Sequence, residues 1–150
     1  WQEFDLDKKT WLIPAERTKA NRAHLIPLSN EALELVENLP QIDNQSFLFP
    51  NSKGGCLSDV GLSDRLHEIM DDGTVQGFRS SFRQWAAEQT SFSESVCELA
   101  LGHVNSSRTE AAYQRSDLFE RRRELMEAWC GYLSAENKVV SINKPRDSFA

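Results

Sequence analysis

Three side chains between Gln76 and Phe119 carry chemistry that makes sense together: Arg79, His103 and Tyr113. An arginine offers a planar fork that matches phosphate oxygens. A histidine donates to a phosphate or moves a proton near neutral pH, and a tyrosine hydroxyl can serve as a covalent nucleophile. The set suits attack on a phosphodiester. A phenol is a weak nucleophile at its free pKa of about 10, so cationic neighbours would have to stabilise both phenolate character and the charge that develops on phosphorus.

The elements around these residues are legible as patterns. Phe78, Phe82, Trp85 and Ala86 recur at helical spacing, predicting a helix near 77–89 with that stripe on the core and Arg79 at its N-terminal end, where backbone amides favour an anion. A second helix starts at Ser93 with Val96, Leu99 and Ala100 inward, and Gly102 reads as the cap that turns the chain and presents His103. Asn105-Ser106-Ser107 is turn-like, and a short helix from about Arg108 carries Tyr113. Upstream, Thr10–Ile13 and His24–Leu28 are strand-length runs that form a hairpin or small sheet, with Lys19 in the loop between them and His24 as a structural or edge residue.

The run Gly77-Phe78-Arg79-Ser80-Ser81-Phe82-Arg83-Gln84-Trp85-Ala86, then Leu101-Gly102-His103, then Ala112-Tyr113-Gln114-Arg115-Ser116-Asp117 resembles the catalytic domain of the tyrosine recombinases, the phage-type integrases. Trp1-Gln2-Glu3-Phe4-Asp5-Leu6, the stretch Ile13 to Lys19 and Leu125-Met126-Glu127-Ala128-Trp129 extend the resemblance to about Leu133. It implies Tyr113 as nucleophile, Arg79 as the second of two phosphate-clamping arginines, His103 as the later histidine, and Lys19 as the hairpin lysine that protonates a leaving 5′ oxygen. It also implies site-specific DNA strand exchange through a 3′-phosphotyrosyl link, on double-stranded attachment sites, by protomers assembled in a tetrameric synapse.

Two features depart from the family pattern. Gln76 stands three residues before Arg79 where the family usually has histidine. Its amide donates a hydrogen bond but relays no proton. The family's first catalytic arginine precedes the Trp-x-Glu-Phe-Asp stretch, which here begins at Trp1, so the expectation is a catalytic domain lacking its first helices and inactive as it stands. Two other functions stay open: a regulatory relic that holds DNA without cutting it, favoured by Gln76 and the acidic total charge, and a topoisomerase-like cutter that relaxes DNA without exchanging partners.

The 150 residues carry 39% hydrophobic content, enough for one domain with a core. The net charge of −6 weakens a DNA-binding reading without deciding it, because binding rests on local Lys and Arg. Arg17, Lys19, Arg22, Arg79, Arg83, Arg108 and Arg115 are the residues that could form a basic face, with Arg17, Arg22, Arg83 and Arg115 assigned to DNA contact beyond the catalytic set. For Arg83 the plainer reading, a surface helix arginine, is kept. Cys56, Cys97 and Cys130 are odd in number and far apart, as expected in a reducing cytoplasm. Neither they nor His24, His67 and His103 have metal-ligand spacing, so the mechanism is expected to need no metal and no cofactor. No apolar run approaches 18 residues, so no membrane is implied.

The remaining segments are structural. Ser29 caps a helix through Leu39 with Ala32, Leu33, Val36 and Leu39 on one face. Phe47-Leu48-Phe49-Pro50 reads as a short buried segment, and Ser58 caps a helix with Leu62, Leu66 and Ile69 inward and Gly73 just past its end. Asp117 and Glu120 form a capping box for a last helix in which Leu118, Leu125, Met126, Trp129 and Leu133 face inward. Arg121-Arg122-Arg123 could touch phosphate, but a solvated, salt-bridged face is at least as favoured. The fold expected is α+β and mainly helical, with a small antiparallel sheet near the N-terminus: a catalytic domain over 1–134 and a tail over 135–150, whose β-prone Lys138–Ile142 run would contribute to assembly between protomers.

Overall fold

A computed structural model of the chain describes residues 1–41, 46–103 and 118–135. Within them, a three-stranded antiparallel sheet precedes five helices. Strands β1 (Phe4–Asp5), β2 (Thr10–Ile13) and β3 (His24–Pro27) lie in that order, with Phe4 opposite Trp11 and Ile13 opposite His24. The helices are α1 (Asn30–Glu37), α2 (Asp59–His67), α3 (Val75–Gln89), α4 (Glu94–Ala100) and α5 (Phe119–Ser134). The expected α+β architecture is present in that coarse form.

Caps set the helix starts. The Ser29, Ser58 and Thr74 hydroxyls accept from the backbone amides of Ala32, Gly61 and Gly77, which satisfies one of the orphan donors at each start. α3 therefore begins at Val75, and Arg79 is its fifth residue rather than part of its first turn. The predicted advantage of terminal amides belongs to Gln76, not Arg79. α5 also starts differently from expectation. Its cap is Leu118, in the left-handed region at φ 51° and without a side-chain hydrogen bond, while Asp117 of the predicted capping box lies outside the described residues.

The core is built where α3, α4 and α5 meet, from Phe82, Trp85, Ala86, Val96, Cys97 and Leu125. Trp85 and Trp129 lie 4.9 Å apart between ring centres, and Tyr132 stacks on Trp129 at 5.5 Å. Such offset and tilted pairs add to the burial of area. The apolar patterns overreach at several positions. Phe78 is 55% exposed and Ile69 86%, while Leu62, Phe47, Phe49 and Leu133 also face solvent. α2 packs against α3 and buries no residue fully, so its apolar stripe is wider than the surface that covers it.

Arg122 corrects the reading of the Arg121–Arg123 run as a solvated face. Arg121 pairs with Glu124 and Arg123 with Glu120, but Arg122 is 2% exposed and donates to the Leu25 carbonyl at 2.7 Å, its guanidinium lying over the Phe119 ring. This contact ties α5 to β3. Arg122→Ala removes the donor, leaves a part-buried carbonyl short of its partner and opens a void, and is expected to cost about 3 kcal/mol in urea unfolding of the chain. A loss below about 1 kcal/mol, the level of a surface substitution, would show that the contact does not hold the two elements together.

A candidate phosphate-binding site between two helices

The site begins with two helix positions and a turn. Arg79 and Arg83 stand one turn apart on α3; Glu94 and Glu98 stand one turn apart on α4, which packs against it. At the end of α4 the amide of Gly102 donates to Leu99 and that of His103 to Glu98, the paired bonds of a Schellman turn. Gly102 adopts φ +70°, a conformation that glycine takes without steric cost. The turn brings His103 back alongside its own helix.

A chain of contacts results. Nη2 of Arg79 donates to the Leu101 carbonyl at 2.6 Å and meets Nε2 of His103 at 2.5 Å. Nδ1 of His103 faces Oε2 of Glu98, also at 2.5 Å, and the other oxygen of Glu98 accepts from Nε of Arg83 at 2.7 Å. Nη2 of Arg83 reaches Glu94 at 3.0 Å. Donor chemistry assigns the imidazole tautomer: a guanidinium only donates and a carboxylate only accepts, so the proton is on Nδ1 and Nε2 accepts. The hydrogen bond from His103, together with Arg83, holds the Glu98 carboxyl below its usual pKa against the opposing effect of burial, and the Glu98 partner raises that of Arg83. Glu98 is therefore anionic across the neutral range.

Of the residues assigned catalytic roles from sequence, Arg79 and His103 are brought together. Gln76 is exposed one turn before Arg79, on the same side of α3. Lys19 stands in the β2–β3 loop, where the Thr18 hydroxyl binds both the carbonyl and the amide of Arg22 and closes a tight turn around it. No hydrogen bond or ion pair among the described residues joins Lys19 to Arg79 or His103. The strand that follows the loop does reach them: the His24 ring, at the start of β3, lies 3.5 Å from where a Cβ on Gly102 would be. Tyr113 and Arg115 lie outside the described residues.

The DNA-contact residues divide. Arg22 is exposed beside Lys19. Arg17 pairs with Glu3, whose carboxyl is held below its usual pKa first by the Trp11 indole N–H and then by Arg17. Arg83 is engaged by two carboxylates. Sequence reasoning passed over Glu98 altogether. Its signal was available: two arginines at i, i+4 on one predicted helix and two glutamates at i, i+4 on the next. Among the described residues, no cluster of three or more His, Cys, Asp or Glu is placed to hold a metal ion, and no helix is long and apolar enough to cross a membrane.

Gly102 tests the turn. Gly102→Ala meets no clash, since 3.5 Å to the His24 ring is ordinary contact, but it forces a Cβ into left-handed backbone at a cost of about 1–2 kcal/mol. Asparagine tolerates that region better. Denaturant midpoints are expected to fall in the order Gly102, Gly102→Asn, Gly102→Ala; equal midpoints would mean that the turn is not held as described.

Comparison with known proteins places the chain in a family. The profile of the Phage integrase family matches residues 1–119. Prophage integrase IntA of Escherichia coli (strain K12) is 34% identical over 90% of this chain and 34% of its own length. The Integrase of Enterobacteria phage P4 is 30% identical over 95% of the chain and 37% of its own length, and that of Shigella phage Sf6 is 24% identical over 89% and 36%. The chain thus spans about a third of the length of the curated relatives it matches. No solved structure matches it. A match of the family model over most of the chain, and a relative 34% identical over 90% of it, lead to one conclusion: the chain belongs to the phage integrase family.

Proposed function

We propose that this chain is the catalytic domain, over residues 1–134, of a tyrosine recombinase that integrates or excises prophage or mobile-element DNA at specific sites, in the cytoplasm and without metal or cofactor. The observation that carries the proposal is the Arg79–His103 contact at the end of α4. Both side chains offer nitrogens to one point, and Nε and Nη1 of Arg79 have no partner among the described residues. A phosphate oxygen entering there accepts from the guanidinium. The family membership and the printed names of the relatives support the same reading.

In the reaction, the Tyr113 oxygen attacks the scissile phosphorus, the bond from phosphorus to the 5′ oxygen breaks, and a 3′-phosphotyrosyl ester forms. Arg79 stabilises the charge on the phosphoryl oxygens, Nε2 of His103, which carries no proton, takes the one that Tyr113 loses as it attacks, and Lys19 gives its own proton to the departing 5′ oxygen. Gln76 contributes a hydrogen bond and no proton. The 5′ hydroxyl of a partner strand then reverses the step, so the ester conserves the bond energy. Arg22 and Arg115 contact the DNA backbone, the protomers assemble on paired sites, and residues 135–150 take part in that assembly.

The test uses the native protein that carries this chain and a suicide duplex of its attachment site, nicked beside the cleavage position so that the released fragment diffuses away. A covalent adduct, digested and mapped by mass spectrometry to Tyr113, is the expected result. DNA binding with no adduct would leave a regulatory DNA-binding protein. An adduct that reseals on its own strand but never joins a second duplex would leave a relaxing enzyme.

A further inference from the structure

We infer that Glu98, braced by Arg83, is a positioning residue for the strand-cleavage step: it selects the imidazole tautomer of His103 and thereby the chemistry that the ring presents beside Arg79. The inference rests on the proposed recombinase reading for its consequence in catalysis, and on the geometry alone for the tautomer.

Both oxygens of Glu98 are in use. Oε1 accepts from Nε of Arg83 and Oε2 faces Nδ1 of His103. Glu98 is only partly exposed, at 23% of its side chain, and Arg83 at 30%, whereas Glu94, the outer partner, is 80% exposed and adds little. The inner pair is therefore the rigid part. A carboxylate has no hydrogen to give, so the ring nitrogen that faces it must carry the proton. Nε2 is then free to accept from Arg79, and when a phosphate draws Arg79 away, Nε2 is left as a bare acceptor, oriented from its far side and able to take the proton that Tyr113 loses. The logic is that of any histidine whose reactive nitrogen is set by the hydrogen bond of the other. Sequence spacing makes it local, because the Schellman turn carries His103 back over the residue whose carbonyl its amide binds, which is Glu98 itself.

The glutamine variant separates this role from simple packing. In Glu98→Gln, Arg83 still needs an acceptor, so the amide carbonyl turns to it and the NH2 group is left facing Nδ1. Nδ1 must then accept, the proton moves to Nε2, and two donors confront each other at Arg79. Removing the brace as well, in Glu98→Gln with Arg83→Gln, releases the carbonyl to turn back to His103.

Long-range 1H–15N spectra of the 150-residue chain read which imidazole nitrogen is protonated. Protonated Nδ1 is expected in the parent, protonated Nε2 in Glu98→Gln, and a return toward Nδ1 in the double variant. In the native protein, single-turnover adduct formation on the suicide duplex is expected to fall about 10- to 100-fold in Glu98→Gln, the range for loss of such orienting partners, with affinity for the duplex changed less than about twofold and partial recovery in the double variant. The same tautomer in parent and Glu98→Gln would overturn the inference, as would a switched tautomer with an unchanged cleavage rate. If the parent itself forms no adduct, the recombinase reading fails, while the tautomer order in the spectra still decides the role of Glu98 toward His103.

Discussion

Lysine in place of Arg79 is expected to lower the rate of strand cleavage by about 10²- to 10³-fold, the range for losing one donor to a developing oxyanion. Arg79 does two things that lysine does not do together. Its Nη2 binds the Leu101 carbonyl at the end of α4 and meets His103, while its Nε and Nη1 have no partner among the described residues. A planar fork can keep one edge on the protein and turn the other to a phosphate; an ammonium is a single point and must choose. Lysine keeps the charge, so affinity for the duplex should drop far less than the rate. Arg79 is half-buried, with no place in the core cluster, and the variant should unfold close to the parent. Adduct formation in a single turnover, beside fluorescence anisotropy for DNA affinity, separates the two. A rate within about threefold of the parent would remove Arg79 from the phosphate site.

That arrangement was only partly readable in the sequence. Gly102 announced a turn, and the turn does present His103, because left-handed backbone after a helix has one cheap occupant. The stripe Phe82, Trp85, Ala86 announced the buried face of α3. Its first member misled: Phe78 has the right period but is 55% exposed, and periodicity does not say how long the covering surface is. The helix boundary misled as well. Gly77 was taken for a start, yet Thr74 is the capping hydroxyl, and Gly77 supplies the amide that it caps. Arg122 was hidden for a different reason. Charged residues are almost never fully buried unless partnered, and its carbonyl partner, Leu25, is 97 residues away in the chain. Glu98 was hidden because its meaning exists only once α3 and α4 are side by side. Short-range rules place the residues; packing decides which charges meet.

Phenylalanine in place of Tyr113 is expected to abolish the covalent adduct entirely while leaving DNA affinity unchanged, since it deletes one oxygen and no charge. The full loss follows from the role. A general acid or a phosphate donor can be replaced in part by water or a neighbour, but the atom that becomes esterified to phosphorus has no substitute. Tyr132, the other tyrosine, is a poor substitute, because its ring is engaged against Trp85 and Trp129 at the edge of the core. An adduct that persists in Tyr113→Phe would move the nucleophile elsewhere and undo the assignment. If parent and variant both bind the duplex and neither cuts it, Gln76 becomes decisive, since a glutamine in that turn of α3 supplies a hydrogen bond but no proton. Gln76→His in the native protein would then restore cleavage if a missing proton relay is the obstacle. It would change nothing if the domain only holds DNA.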